Sequence, residues 1–115
     1  MPDRLTRGAI VYYAEQSLIV WTHKPDGVAL GILVRPQTGP RHRSHVPISP
    51  TACPPLGLRP RASIVETAEP MIAIQQPPRV LGQAPATLLT EIADTIRRAH
   101  LANRFEVAMT GAIWA

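Results

Sequence analysis

The sequence predicts a mostly-β domain completed by a C-terminal α-helix. Short runs rich in β-branched and aromatic residues recur between residues 9 and 74, each broken by Gly or Pro. The apolar period then changes to that of an amphipathic helix over residues 88–99. The 115 residues can bury one core but not two. Short strands at this spacing suggest a small barrel or a sandwich. The organisation read from the chain is a single domain, 1–115, with strands in 7–75, a helix over 85–102 and an apolar tail over 103–115.

AIVYY (9–13) and SLIVW (17–21) read as two strands separated by Glu15-Gln16. Pro25-Asp26-Gly27 is a turn, because proline presets one dihedral and glycine permits positive φ. Residues 28–34, mostly apolar, form a third strand buried on both faces or nearly so. Residues 44–48 form a fourth, and Pro47, which cannot donate to a ladder, places it at an edge or ends it there. Residues 49–61 carry four prolines and one glycine and predict an ordered, irregular crossing. Residues 62–67 alternate apolar and polar as a fifth strand, and 71–74 form a sixth before Pro77-Pro78.

Leu88, Leu89, Ile92, Ala93, Ile96 and Ala99 then share one helical face, with Thr90, Glu91, Asp94, Arg97 and Arg98 opposite. Pro85 suits the first helical turn. Asp94 and Arg98, four apart, are spaced to pair, and Asn103 is a left-handed stop. Such a helix covers the open side of a sheet. His100 flanks the apolar stripe and reads as structural. The tail, with Phe105, Ile113 and Trp114, is too apolar for a solvated terminus and is expected to pack on its own sheet or on a second subunit.

Composition narrows the function. An apolar fraction of 45% describes a globular chain rather than a disordered one. Net charge is +4, and arginine supplies eleven of the twelve basic residues. Guanidinium groups grip phosphate in a bidentate fork, so the bias favours phosphate recognition; a GC-rich genome also raises Arg, Ala and Pro. Cys53, the single cysteine, allows neither an intramolecular disulfide nor a cysteine metal site and reads as a small buried residue. The N-terminus has no apolar core of signal-peptide length and no run approaches a membrane span, so the expected location is cytoplasmic with no membrane partner. His23, His42, His45 and His100 lack metal-site spacings, and no phosphate-binding glycine loop is present, so no metal or other cofactor is implied.

The segment with the most chemical character is RPQTGPRHRSHVPISPT (35–51). It gathers Arg35, Arg41, His42, Arg43 and His45, and runs into Val46-Pro47-Ile48-Ser49. No acidic residue lies between Asp26 and Glu66, and Arg59 and Arg61 extend the basic field. A field of one sign points to an anionic partner, with nucleic acid the leading candidate. Arg or His groups beside a hydroxyl suit metal-independent phosphodiester cleavage, in which a ribose 2′-OH attacks the adjacent phosphate and the cations neutralise the phosphorane. The plainer reading is a solvated basic loop whose Ser-Pro starts a turn.

The order of elements resembles the MazF/PemK family of toxins from toxin–antitoxin systems. Arg7-Gly8 matches the family's Arg-Gly pair before the first strand, and Val46-Pro47-Ile48-Ser49 its Pro-x-Thr/Ser strand end. Gly57-Leu58 before Ser63-Ile64-Val65 matches its crossing, and Leu81-Gly82 ahead of Pro85 its lead-in to the helix. The resemblance spans about residues 7–102. It implies an SH3-like barrel with a C-terminal helix, usually a homodimer, cutting single-stranded RNA at short sequences and covered by an acidic antitoxin. Carried onto this chain, it makes Ser49 the phosphate-site hydroxyl. The family's catalytic Arg-Pro opens the third strand, where this chain has Val28-Ala29-Leu30; here Arg35-Pro36 lies at the far end. Either Arg35, His23 or Arg43 then supplies that charge, or this chain does not cut RNA. The expected site is Ser49 and Arg35 as catalytic groups, with Arg41, His42, Arg43, His45, Arg59 and Arg61 binding RNA. The alternatives are a CcdB-like toxin of the same fold that binds a protein such as gyrase without catalysis, and a nucleic-acid-binding module.

Overall fold

A computed structural model of the chain describes residues 5–114, with side chains described for residues 5–99 and for Leu101. β1 (Ala9–Tyr13) and β2 (Gln16–His23) pair antiparallel, with Tyr13 opposite Gln16. Their loop is Ala14-Glu15, both left-handed, with φ of 51° and 63°. The loop is of the I′ kind, whose twist matches the flanking strands. β3 (Ala29–Pro36) follows the expected turn, where Val28 N–H donates to Asp26 Oδ1 at 3.0 Å and Gly27 has φ +90°. β2 and β3 pair along their length except at Trp21, which bulges between the Val20–Gly31 and Thr22–Leu30 rungs. The Arg7 guanidinium stacks on that ring, 4.0 Å from its centroid.

β4 (His45–Ile48), β5 (Ser63–Glu66), β6 (Ile72–Ile74) and β7 (Arg79–Gln83) complete a seven-stranded antiparallel sheet in the order β4-β5-β3-β2-β1-β7. β5 and β6 share the second edge of β3, β5 along Leu33–Pro36 and β6 along 29–31. Pro47 does lie in an edge strand. Six strands were expected and a seventh is present. β7 was missed because prolines precede it, Gly82 interrupts it and Val80 is exposed. It is an edge strand held by β1, not by a burial pattern of its own.

The mostly-β architecture with one C-terminal helix is as expected, but the sheet does not close into a barrel: β4 and β7 remain its edges. The crossing occupies that seam. It carries a one-turn 3-10 helix (Pro54–Leu56) capped by Gly57 at φ +79°. A Cβ on Gly57 would overlap the Leu81 carbonyl, and one on Gly82 would overlap that of Leu56. The two glycine motifs therefore meet back to back, at a separation only glycine allows.

α1 (Ala86–Trp114) starts with Leu89 N–H bonded to the Pro85 carbonyl at 3.1 Å. It lays Leu88 and Ile92 on a core formed with Ile10, Ile19, Ile32, Val34, Val46, Ile48, Cys53, Leu56 and Val65. Burying each large aliphatic contributes about 1.5–3 kcal/mol. A second cluster, Ala9, Val11, Leu18, Val20, Ala29 and Ile74, lies on the opposite face of β1–β3. Two expectations for the helix are corrected. It runs on past Asn103 to Trp114; asparagine alone costs a helix under about 0.7 kcal/mol, and no glycine or proline follows until Gly111. Asp94 pairs with Arg97 at 2.7 Å, while Arg98 Nε donates to the Asp94 carbonyl. The expectations for His100 and for the packing of Trp114 lie outside the described side chains. Among the described residues, no helix is long and apolar enough to cross a membrane.

Candidate nucleic-acid interface

Glu66, the last residue of β5, organises the basic loop. On one rung of the sheet it stands between Leu33 and His45. Its carboxylate is 6% exposed and receives Arg35 Nη2 at 3.0 Å and His45 Nε2 at 2.7 Å on Oε2. Ser44 Oγ–H and Ala68 N–H donate to Oε1, each at 3.3 Å. Burial pushes the carboxyl up, but the Arg35 hydrogen bond, the Ala68 amide and the neighbouring His45 together outweigh it and hold the pKa below the ordinary value.

The loop is clamped at the same place. Thr67 donates from both its amide and its hydroxyl to the Ser44 carbonyl, the latter at 2.6 Å. His42 N–H donates to His45 Nδ1 at 3.0 Å. That bond puts the His45 hydrogen on Nε2, where it points at Glu66, so both ring nitrogens are engaged within the protein. His42 Nδ1 accepts Ser44 N–H and lies 2.9 Å from Ser44 Oγ. Arg41, His42 and Arg43 are exposed around the clamp. His45, expected to grip RNA, ties β4 to β5 through Glu66. His23 Nε2 lies 2.8 Å from the Leu5 carbonyl oxygen, remote in sequence from the loop.

A cleft of about 660 Å³ opens where β1, β2, β3, β7 and the crossing meet. Its walls carry Arg35, Arg59, Arg61 and Arg79, together with Tyr12 and Glu15. Among the described residues, Arg59, Arg61 and Arg79 form no ion pair, while Arg35 is held by Glu66. Tyr12 is opposite Arg79 in the β1–β7 register, and the Arg79 guanidinium lies 5.8 Å from the exposed ring's centroid. An open array of guanidinium forks beside an aromatic face has the chemistry to hold a phosphodiester strand and to stack a base.

Ser49 is elsewhere. It lies past the end of β4, its hydroxyl 3.2 Å from that of Thr51, on a second and more apolar depression with Pro47, Ile48, Ala52, Leu56, Leu88 and Glu91. Strand β5 stands between β4 and β3, so Ser49 and Arg35 line different depressions. The structure thus brings Arg35, Arg59 and Arg61 together, leaves Ser49 and the exposed loop arginines outside their cleft, and adds three residues that the sequence reading did not single out: Tyr12, Glu15 and Arg79. The only signal for them was alternation in β1, which turns Tyr12 away from Val11.

No protein-family model matches this chain, and no curated protein matches it.

Proposed function

We propose that the protein binds single-stranded RNA in the arginine-lined cleft, as the cytoplasmic toxin of a toxin–antitoxin pair, and that binding serves metal-independent cleavage of the strand. The observation that carries this reading is the convergence of Arg59, Arg61 and Arg79 on one cleft beside an exposed tyrosine, none of the three paired with a carboxylate among the described residues. Guanidinium groups hold successive phosphates, and Tyr12 takes a base that is already unstacked. In the cleavage step the 2′-OH gives its proton to solvent and O2′ bonds to phosphorus as the P–O5′ bond breaks, O5′ takes a proton from solvent, and the arginines stabilise the charge on the phosphorane oxygens, leaving a 2′,3′-cyclic phosphate. An acidic antitoxin segment complements the same surface, and a homodimer would present two such clefts. Ser49 belongs to neither the binding nor the chemistry in this reading.

The test is binding of a labelled RNA oligonucleotide at several salt concentrations, followed by incubation of a long RNA with EDTA. Three phosphate contacts give a log–log salt slope of about −2, and Arg59→Ala with Arg61→Ala reduces it by about 1.4. That double variant loses cleavage, while Ser49→Ala keeps it. Cleavage lost in Ser49→Ala alone would move the site to the groove beyond β4. Binding insensitive to salt would end the RNA reading.

A further inference from the structure

We propose that the cleft selects guanine, with Glu15 as the specificity-determining residue and Tyr12 as the platform on which the base lies. The inference rests on the RNA-binding reading above.

Among the described residues, Glu15 is the one carboxylate on the cleft's walls. It stands among four arginines yet forms no hydrogen bond or ion pair with any of them. An unpaired carboxylate repels phosphate, so its presence weakens a surface built for the backbone alone. Its use is as an acceptor, and an ionised carboxylate offers two acceptor oxygens and no donor. Among the four RNA bases, only guanine presents two adjacent donors, N1–H and N2–H, on its Watson–Crick edge. Adenine and cytosine each set a ring acceptor beside their amino group, and uracil flanks its single N–H with two carbonyls. A bidentate carboxylate therefore accepts guanine and is repelled by part of every other base.

Position supports the same use. Glu15 is at the tip of the β1–β2 loop, and Tyr12 lies just before that loop on β1, both facing the same cavity. A base stacked on Tyr12 turns its edge outward along the cavity, while the arginines hold the phosphates on either side. Glu15 occupies a left-handed position, φ 63°, where glycine is the unstrained choice. Like Ala14 beside it, Glu15 takes this conformation as part of the tight turn, which fixes the loop tip at the cavity's rim.

The experiment uses the full-length protein and labelled pentanucleotides, UUGUU, UUAUU, UUCUU, UUUUU and UUIUU, all 2′-O-methylated so that O2′ cannot attack. The expected result is binding of UUGUU about tenfold tighter than the adenine, cytosine and uracil sequences. Inosine, which keeps N1–H but lacks the N2 amino group, falls between. Glu15→Gln removes the preference, because an amide offers one donor and one acceptor that each of the four bases can match. Glu15→Gly also removes the preference while raising the melting temperature, an outcome that separates recognition from loss of structure. Equal affinity for all five sequences, or a guanine preference that survives in both variants, overturns the guanine assignment while leaving RNA binding intact. Failure to bind any sequence overturns both.

Discussion

Replacing Glu66 with glutamine tests whether one buried carboxylate holds the basic loop to the sheet. Glutamine keeps an oxygen for Ser44 Oγ–H and Ala68 N–H, but presents an amide N–H to Arg35 and to His45 Nε2–H, both donors. Two hydrogen bonds to a charged acceptor are lost, each worth about 1.5–3 kcal/mol where water is excluded. The Arg35 side chain is 39% exposed and recovers most of its share from solvent, whereas His45, 11% exposed, does not. The expected loss is ~2 kcal/mol at pH 7, a fall in Tm of roughly 8 °C for a chain of this size.

The pH dependence carries the sign. Glu66 is held below its ordinary pKa in the folded protein, so on acidification the unfolded chain takes up the proton first. The stabilisation is therefore complete above the ordinary carboxylate range and is lost as pH falls through the lowered folded value. Glu66→Gln has no such group. Thermal melts of both proteins from pH 7 down to pH 3 should show a gap that narrows below the ordinary carboxylate range. Equal melting at pH 7, or a gap as wide at pH 3, would refute the reasoning.

Gly57→Ala should destabilise by about 2–4 kcal/mol in urea unfolding, since the methyl meets the Leu81 carbonyl and φ is +79°. Ile92→Ala should cost about 3 kcal/mol by the same measurement, because its side chain is fully buried between helix and sheet. Tyr12→Ala should weaken RNA binding by roughly tenfold with an unchanged salt slope, since stacking releases no counterion; a changed slope would place Tyr12 on the phosphates instead.

The strands with their own apolar signature were legible in the sequence, and so was the face by which α1 meets them. β7 was not, because half of it faces water and its pairing with β1 crosses most of the chain. The site was legible in composition and illegible in geometry. The acid-free stretch from Asp26 to Glu66 suggested an open field of positive charge. Glu66, which bounds that stretch in the sequence, folds back into it and binds Arg35 and His45. Periodicity cannot report such a contact, because it depends on the register of β4 and β5. Tyr12 and Arg79 illustrate the same limit: only the rung that joins first strand to last places them side by side.

The pairing of β1 with β7 also sets an order of events during synthesis. Ile10 finds its partner at Gly82, and the helix that covers the main core lies later still. At about 5–20 residues per second, a ribosome needs roughly 4–14 seconds to make the intervening chain. Through that interval β1 carries an unpaired edge and an uncovered apolar face, which invites pairing with other nascent chains. The hairpin of β1 and β2 can form early, but β1 stays open until β7 has been made, so slowing elongation between residues 24 and 82 should lower the soluble yield.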